Sequence, residues 1–157
     1  MSTENIKFLI QGITTDQFAI IDTSYREGIA LGLAIQMGYS VNIENHIIVV
    51  TVKVVFDQEK LPIIILDLSC HFSISDENWA PLYNSIESKV QIPNNFAIHL
   101  GMLTVGTLRG VLHAKTENTI FNQFILPPID ITQIINKEDV VINLESFPIT
   151  LAEHKSS

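Results

Sequence analysis

A chain of 157 residues holds one domain with a core and is short for two. Only 17% of the residues are charged against 46% hydrophobic, which argues against disorder over most of the length. A net charge of −8 leaves too little Lys and Arg for a phosphate backbone or an anionic membrane surface, so neither is an expected partner. Surplus apolar surface in so weakly charged a domain has two uses, burial in an oligomer or binding of something else. The single cysteine, Cys70, permits a reducing compartment. The start MSTENIKFLI lacks the basic and long apolar regions of a signal peptide, no stretch is apolar for long enough to span a membrane, and the expected location is the cytoplasm.

The alternation of Ile6, Phe8 and Ile10 with Lys7 and Gln11 predicts an extended segment to Ile21, as one strand or as two broken near Thr14-Thr15-Asp16. Thr23–Gly28 reads as a loop. Ile29–Gln36 follows as a strand sharing Ile29, Leu31, Leu33 and Ile35 on one face, with a helix as the alternative that Gly28, Gly32 and Gly38 count against. From His46 to Ile74 the signal is strongest. Ile48, Val50, Val52, Val54 and Phe56 alternate along a first arm. Ile64, Leu66, Leu68, Cys70, Phe72 and Ile74 do the same along a second, with Asp57–Lys60 between them. That pattern is a long antiparallel hairpin with one apolar face. Pro62 stands at the entry of the second arm, where a missing N–H is tolerated.

Ser75–Gln91 is polar and irregular. Pro93 suits the first turn of a helix running to about Lys115. At about 100° per residue this helix collects Phe96, Leu100, Leu103, Thr107, Val111 and Ala114 on one side. Ile98, Met102, Val105, Leu108 and Leu112 fall on the other, with Arg109 beside them and polar flanks that include His99, His113 and Thr104. A helix on a sheet needs one apolar stripe, so a second requires a cover. Helix-to-helix oligomerisation would supply it, and so would a fold-back of Phe121–Leu126 in the same chain. Gly101, Gly106 and Gly110 together cost about 3 kcal/mol in a helix interior, for which close approach by another element is the usual compensation. Beyond the helix come the Pro127-Pro128 pair, a short helix over Ile131–Asn136, a strand-like Val140–Leu144 and a loose tail from Glu153. The chain reads as a single domain, 1–157, ordered from about 5 to 147.

Motifs for catalysis or metal binding are missing. The histidines show no metal spacing, and His99 and His113 would stand about 21 Å apart along the helix. Cys70 and His71 point to opposite faces of a strand. No phosphate loop, dinucleotide fingerprint or nucleophile elbow is present. Asp67 pairs across the hairpin with Lys53 or a neighbour. Arg109, the one charge within an apolar helix face, suits a salt bridge or a carbonyl cap. No catalytic residue, metal or cofactor is therefore expected, and a binding protein is the preferred class.

The order of these pieces resembles the SecB family of preprotein-export chaperones. The similarity runs from about Phe8 to Ile135 through FLIQGITTDQFAI, NIENHIIVVTVKVVF and LPIIILDLSCHFSI, with the Phe72-Ser73-Ile74 ending. Pro93-Asn94 then opens the long helix, Arg109 lies within it, and FILPPIDI follows. The resemblance implies an α+β fold, a four-stranded antiparallel sheet with the long helix packed on one face, assembled as a dimer of dimers. It implies binding of unfolded or extended polypeptide at Tyr25, Ile29, Phe121, Phe124, Ile125, Leu126, Ile131, Ile134 and Ile135. For oligomer contacts it implies Ile98, Met102, Val105, Leu108, Arg109 and Leu112. It also implies an export ATPase as partner. Asp16 keeps one of the acidic positions used for that contact, whereas others fall on Ile20 and Ile65. A dedicated partner of one client, such as an antitoxin, and an assembly protein without general holdase activity are the alternatives.

Overall fold

A computed structural model describes residues 5–144 and 150–156, the last stretch by its backbone alone. Strand β1 (Phe8–Ile20) is followed by a 3-10 turn (Asp22–Ser24), β2 (Gly32–Asn42), β3 (Ile47–Gln58) and β4 (Leu61–Ile74). A short helix α1 (Asp76–Trp79) leads to β5 (Tyr83–Asn84) and β6 (Lys89–Ile92). The long helix α2 (Asn94–Thr116), 3-10 turns at Ile120–Gln123 and Ile131–Gln133, β7 (Val140–Asn143) and β8 (Thr150–Ser156) complete the order.

The first four strands form the antiparallel sheet of an α+β fold, in the order β1-β4-β3-β2, and α2 lies across β3 and β4. The β3–β4 hairpin is the frame, and its alternation decides its faces. Ile48, Val50, Val52, Val54, Ile64, Leu66, Leu68, Cys70 and Phe72 are all fully buried under the helix. Lys53 and Asp67 are register partners on the other face. The turn narrows to Glu59 and Lys60, both with positive φ (51° and 70°), the type I′ geometry that matches the twist of a two-residue hairpin. β1 is one strand with register shifts at Gln11 and Asp16, the second within the segment where a break was expected.

Two additions were not visible in the sequence. β8 extends the sheet past β2, so most of the expected loose tail is a paired strand. β5, β6 and β7 form a separate three-stranded sheet. The expected strand from Val140 thus pairs with β6 through Val140↔Ile92 to Asn143↔Lys89 and is not hydrogen-bonded into the main sheet. Residues 145–147 of the expected ordered core lie outside the described residues.

The helix wheel required one correction. Its sheet-facing stripe is Ala97, Leu100, Gly101, Thr104, Leu108 and Leu112, centred between the two expected faces. Thr104 marked a polar flank in the sequence, yet it is fully buried. Its hydroxyl donates to the Leu100 carbonyl oxygen at 2.8 Å, and Thr107 and Thr116 make the same bond one turn back. A threonine satisfied by its own helix presents only its methyl group to the core. The two apolar faces are therefore shoulders of one broad stripe. Solvent meets a narrow strip holding His99, Met102, Gly106, Gly110 and His113.

Candidate polypeptide-binding groove

The connection from β1 to β2 crosses the hairpin end of the sheet, where Gln58 anchors it. Gln58 continues the buried parity of β3 and is 4% exposed. Its side-chain oxygen accepts from Arg26 N at 2.9 Å, and its amide donates to the Arg26 and Ile29 carbonyls at 2.8 and 3.0 Å. These bonds hold Tyr25 against the segment that follows α2. Ring centroids of Tyr25 lie 5.6 Å from those of both Phe121 and Phe124, and Phe124 stacks on Phe56 at 6.0 Å. Such aromatic contacts add to area burial and fix the loop on the sheet end.

Arg109 ties that loop to the helix. Its Nε donates to the Leu126 carbonyl at 2.9 Å and its Nη2 to that of Pro127 at 3.1 Å. The arginine is thus a carbonyl cap within one chain. Between α2 and this loop runs an open groove of about 390 Å³, lined by Gly106, Arg109, Gly110, His113, Phe124 and Ile125. A Cβ added at Gly106 or Gly110 would meet nothing within 4 Å, so the floor is bare backbone. Gly101 is the glycine of close approach, with Tyr39 Oη 3.0 Å from where its Cβ would stand.

Of the residues expected to meet polypeptide, Tyr25 and Ile29 are half-buried and Ile125 is 66% exposed. Phe121 and Phe124 are 6% exposed each and shape the groove more than they open it. Leu126, Ile131, Ile134 and Ile135 are 3% exposed or less, so the expectation that they line an open groove is corrected. Their segment folds back over α2, with Ile131 Cγ2 3.3 Å from the Cβ position of Gly101. Fold-back within the chain, rather than a second helix, covers the second shoulder. Val105, Leu108 and Leu112 are consequently buried within the chain at 4, 0 and 1% exposure, and their assignment to an oligomer contact is corrected too. Ile98 is half-buried, Arg109 serves the loop, and Met102 alone of that set stands out, at 59%.

On the opposite face of the sheet, Ser69 Oγ donates to Asp16 Oδ2 at 2.5 Å and lies 2.8 Å from Thr51 Oγ1. Asp67 Oδ1 is buried there without a hydrogen-bond partner. Burial, then the charge of Asp16, raises the Asp67 pKa above the usual carboxylate value, against the lowering effect of Lys53. His71 Nε2 lies 3.2 Å from Thr14 Oγ1. Among the described residues no three His, Cys, Asp or Glu side chains are grouped to hold a metal ion. No described helix is long and apolar enough to cross a membrane. Phe56 and Gln58 were missed as parts of the site. Their signal was the apolar parity of β3 running on into a glutamine, which called for backbone partners. No family model, curated protein or solved structure matches the chain.

Proposed function

We propose that this chain is a non-enzymatic, cytoplasmic chaperone of SecB-like type that holds unfolded or extended polypeptide in the groove between α2 and the Phe121–Leu126 segment. One observation carries the reading. The groove is walled by Phe124 and Ile125 beside Arg109 and His113 and floored by bare backbone at Gly106 and Gly110, and the guanidinium of Arg109 is already engaged by two carbonyls. Such a surface gives contact without charge selection, which suits a chain of varied sequence better than an anion or a metabolite. Ile125, 66% exposed, is its open apolar contact. No cofactor is needed. Met102, 59% exposed and outside the groove lining, marks the part of the helix strip through which copies of the chain associate. Mixing the protein with a chemically denatured model enzyme during dilution tests the function. Aggregation is suppressed at a stoichiometric ratio, and absence of suppression at every ratio refutes the general chaperone.

A second reading has its own support. With Leu126, Ile131, Ile134 and Ile135 buried, the groove is narrower than the sequence implied, and a narrow groove favours one dedicated partner over many clients. Isolation from the host under native conditions separates the two. One stoichiometric companion supports the dedicated partner, and a heterogeneous set supports the chaperone.

A further inference from the structure

β8 is poorly matched to the edge that it occupies. It pairs with β2 from Leu33↔Ser156 to Gly38↔Thr150, and the ladder is interrupted between Gln36↔Glu153 and Met37↔Leu151, leaving Ala152 without a partner. On its other side β2 runs in unbroken register with β3 from Gly32↔Asp57 to Asn42↔Ile47. The residues that stand opposite Leu33, Ile35 and Met37 in register are Ser156, His154 and Leu151. Leu33, Ile35 and Met37 are buried core residues, so β2 offers an apolar row and β8 answers with one large apolar residue type in three. Backbone hydrogen bonds must therefore supply most of the attachment, against the conformational entropy of ordering the segment. The edge also leads into the groove region, because Leu33 is the register partner of Phe56, whose ring stacks on Phe124.

We infer that β8 is a built-in, displaceable occupant of a strand-accepting edge, and that an extended segment of bound polypeptide replaces it along Leu33–Gly38. Addition of a strand to a sheet edge takes its affinity from main-chain bonds and its preference from alternate side chains. The preferred segment accordingly carries apolar residues at alternate positions, where β8 has Ser156 and His154. The inference rests on the polypeptide-binding reading above and adds the place and the competitor.

The test compares three forms in binding to a permanently unfolded probe, reduced and carboxymethylated lactalbumin: the full chain, a chain ending before Thr150, and His154→Val. If the edge is free in about a tenth of the molecules, removing β8 lowers the apparent Kd about tenfold. His154→Val, which makes two of the three register positions apolar, raises it. In the full chain, the probe changes hydrogen exchange across Thr150–Ser156. A full chain that binds the probe with the same Kd as both variants and unchanged exchange overturns this inference and leaves the chaperone reading standing. No binding by any form overturns both. If the shortened chain lacks a native circular dichroism spectrum, His154→Val decides alone, and an unchanged Kd then refutes displacement.

Discussion

A Cβ built on Gly101 would stand 3.0 Å from Tyr39 Oη and 3.2 Å from Met37 Sδ, whereas one on Gly106 would meet nothing. The tyrosine cannot easily withdraw, because its buried hydroxyl donates to the Ala97 carbonyl at 2.6 Å. Burial also raises its pKa well beyond the usual value, so it remains a donor at any ordinary pH. Gly101→Ala should therefore destabilise by about 1–3 kcal/mol through overpacking. Gly106→Ala should stabilise by about 0.8–1 kcal/mol through helix propensity. Urea unfolding of both variants checks the opposite signs. Asp67 gives a second prediction. Its folded pKa is raised, so the folded state holds more protons than the unfolded state above the usual carboxylate range. Stability is then greatest on the acid side of that window and falls as pH rises through the folded pKa. Asp67→Asn should flatten this fall, measured as unfolding midpoints from mildly acidic to neutral pH. An unchanged slope would mean that Lys53 offsets both burial and the charge of Asp16.

Among the elements, the β3–β4 hairpin was the most legible, because a period-two apolar row over both arms admits only one pairing of faces. Its turn is the weak point. Lys60 holds φ 70° without being glycine, which costs about 1–2 kcal/mol. Lys60→Gly should recover about 1 kcal/mol of this, read as a higher urea midpoint with unchanged slope. The bounds of α2, Asn94–Thr116, were equally readable from Pro93 and the expected end at about Lys115. Its orientation was not, because hydrophobicity alone counts a threonine as polar whichever way its hydroxyl is satisfied. Thr104, bonded to Leu100, turned the true stripe into the gap between two imagined ones. The helix start shows a further long-range contribution. Asp139 Oδ1 accepts from Asn94 N at 2.9 Å, so a residue 45 positions away caps a helix that has no side-chain cap of its own. Asp139→Ala should cost about 1 kcal/mol, seen in thermal unfolding.

For the whole molecule, the question is what remains apolar once the chain has covered its own helix. Met102, Ile120 and Ile125 remain, together with Leu9, Ile10 and Ile13 on β1 and with Leu31, Leu61 and Ile86 elsewhere. If copies associate through the helix strip, Met102→Asp should lower the native mass in light scattering while leaving the circular dichroism spectrum unchanged. An unchanged mass would move the contact elsewhere. The same substitution at Val105 would test the fold instead, since that side chain is 4% exposed.

The α+β class, the hairpin with its buried face, the bounds of the long helix and the fold-back of an apolar segment as one way to cover it were all open to reading from the sequence. Each rests on local periodicity or on a residue that starts or stops an element. Tertiary structure decided which way the helix faces, which of the two covers it uses, how wide the groove is and which strand closes the edge of β2. Those outcomes depend on contacts between distant segments: Arg109 with Leu126, Gln58 with Arg26 and Ile29, Asp139 with Asn94, and β8 with β2. A backbone carbonyl or a free strand edge accepts a partner almost regardless of side-chain identity. Such pairings therefore leave little trace in residue types, and only the folded chain reveals them.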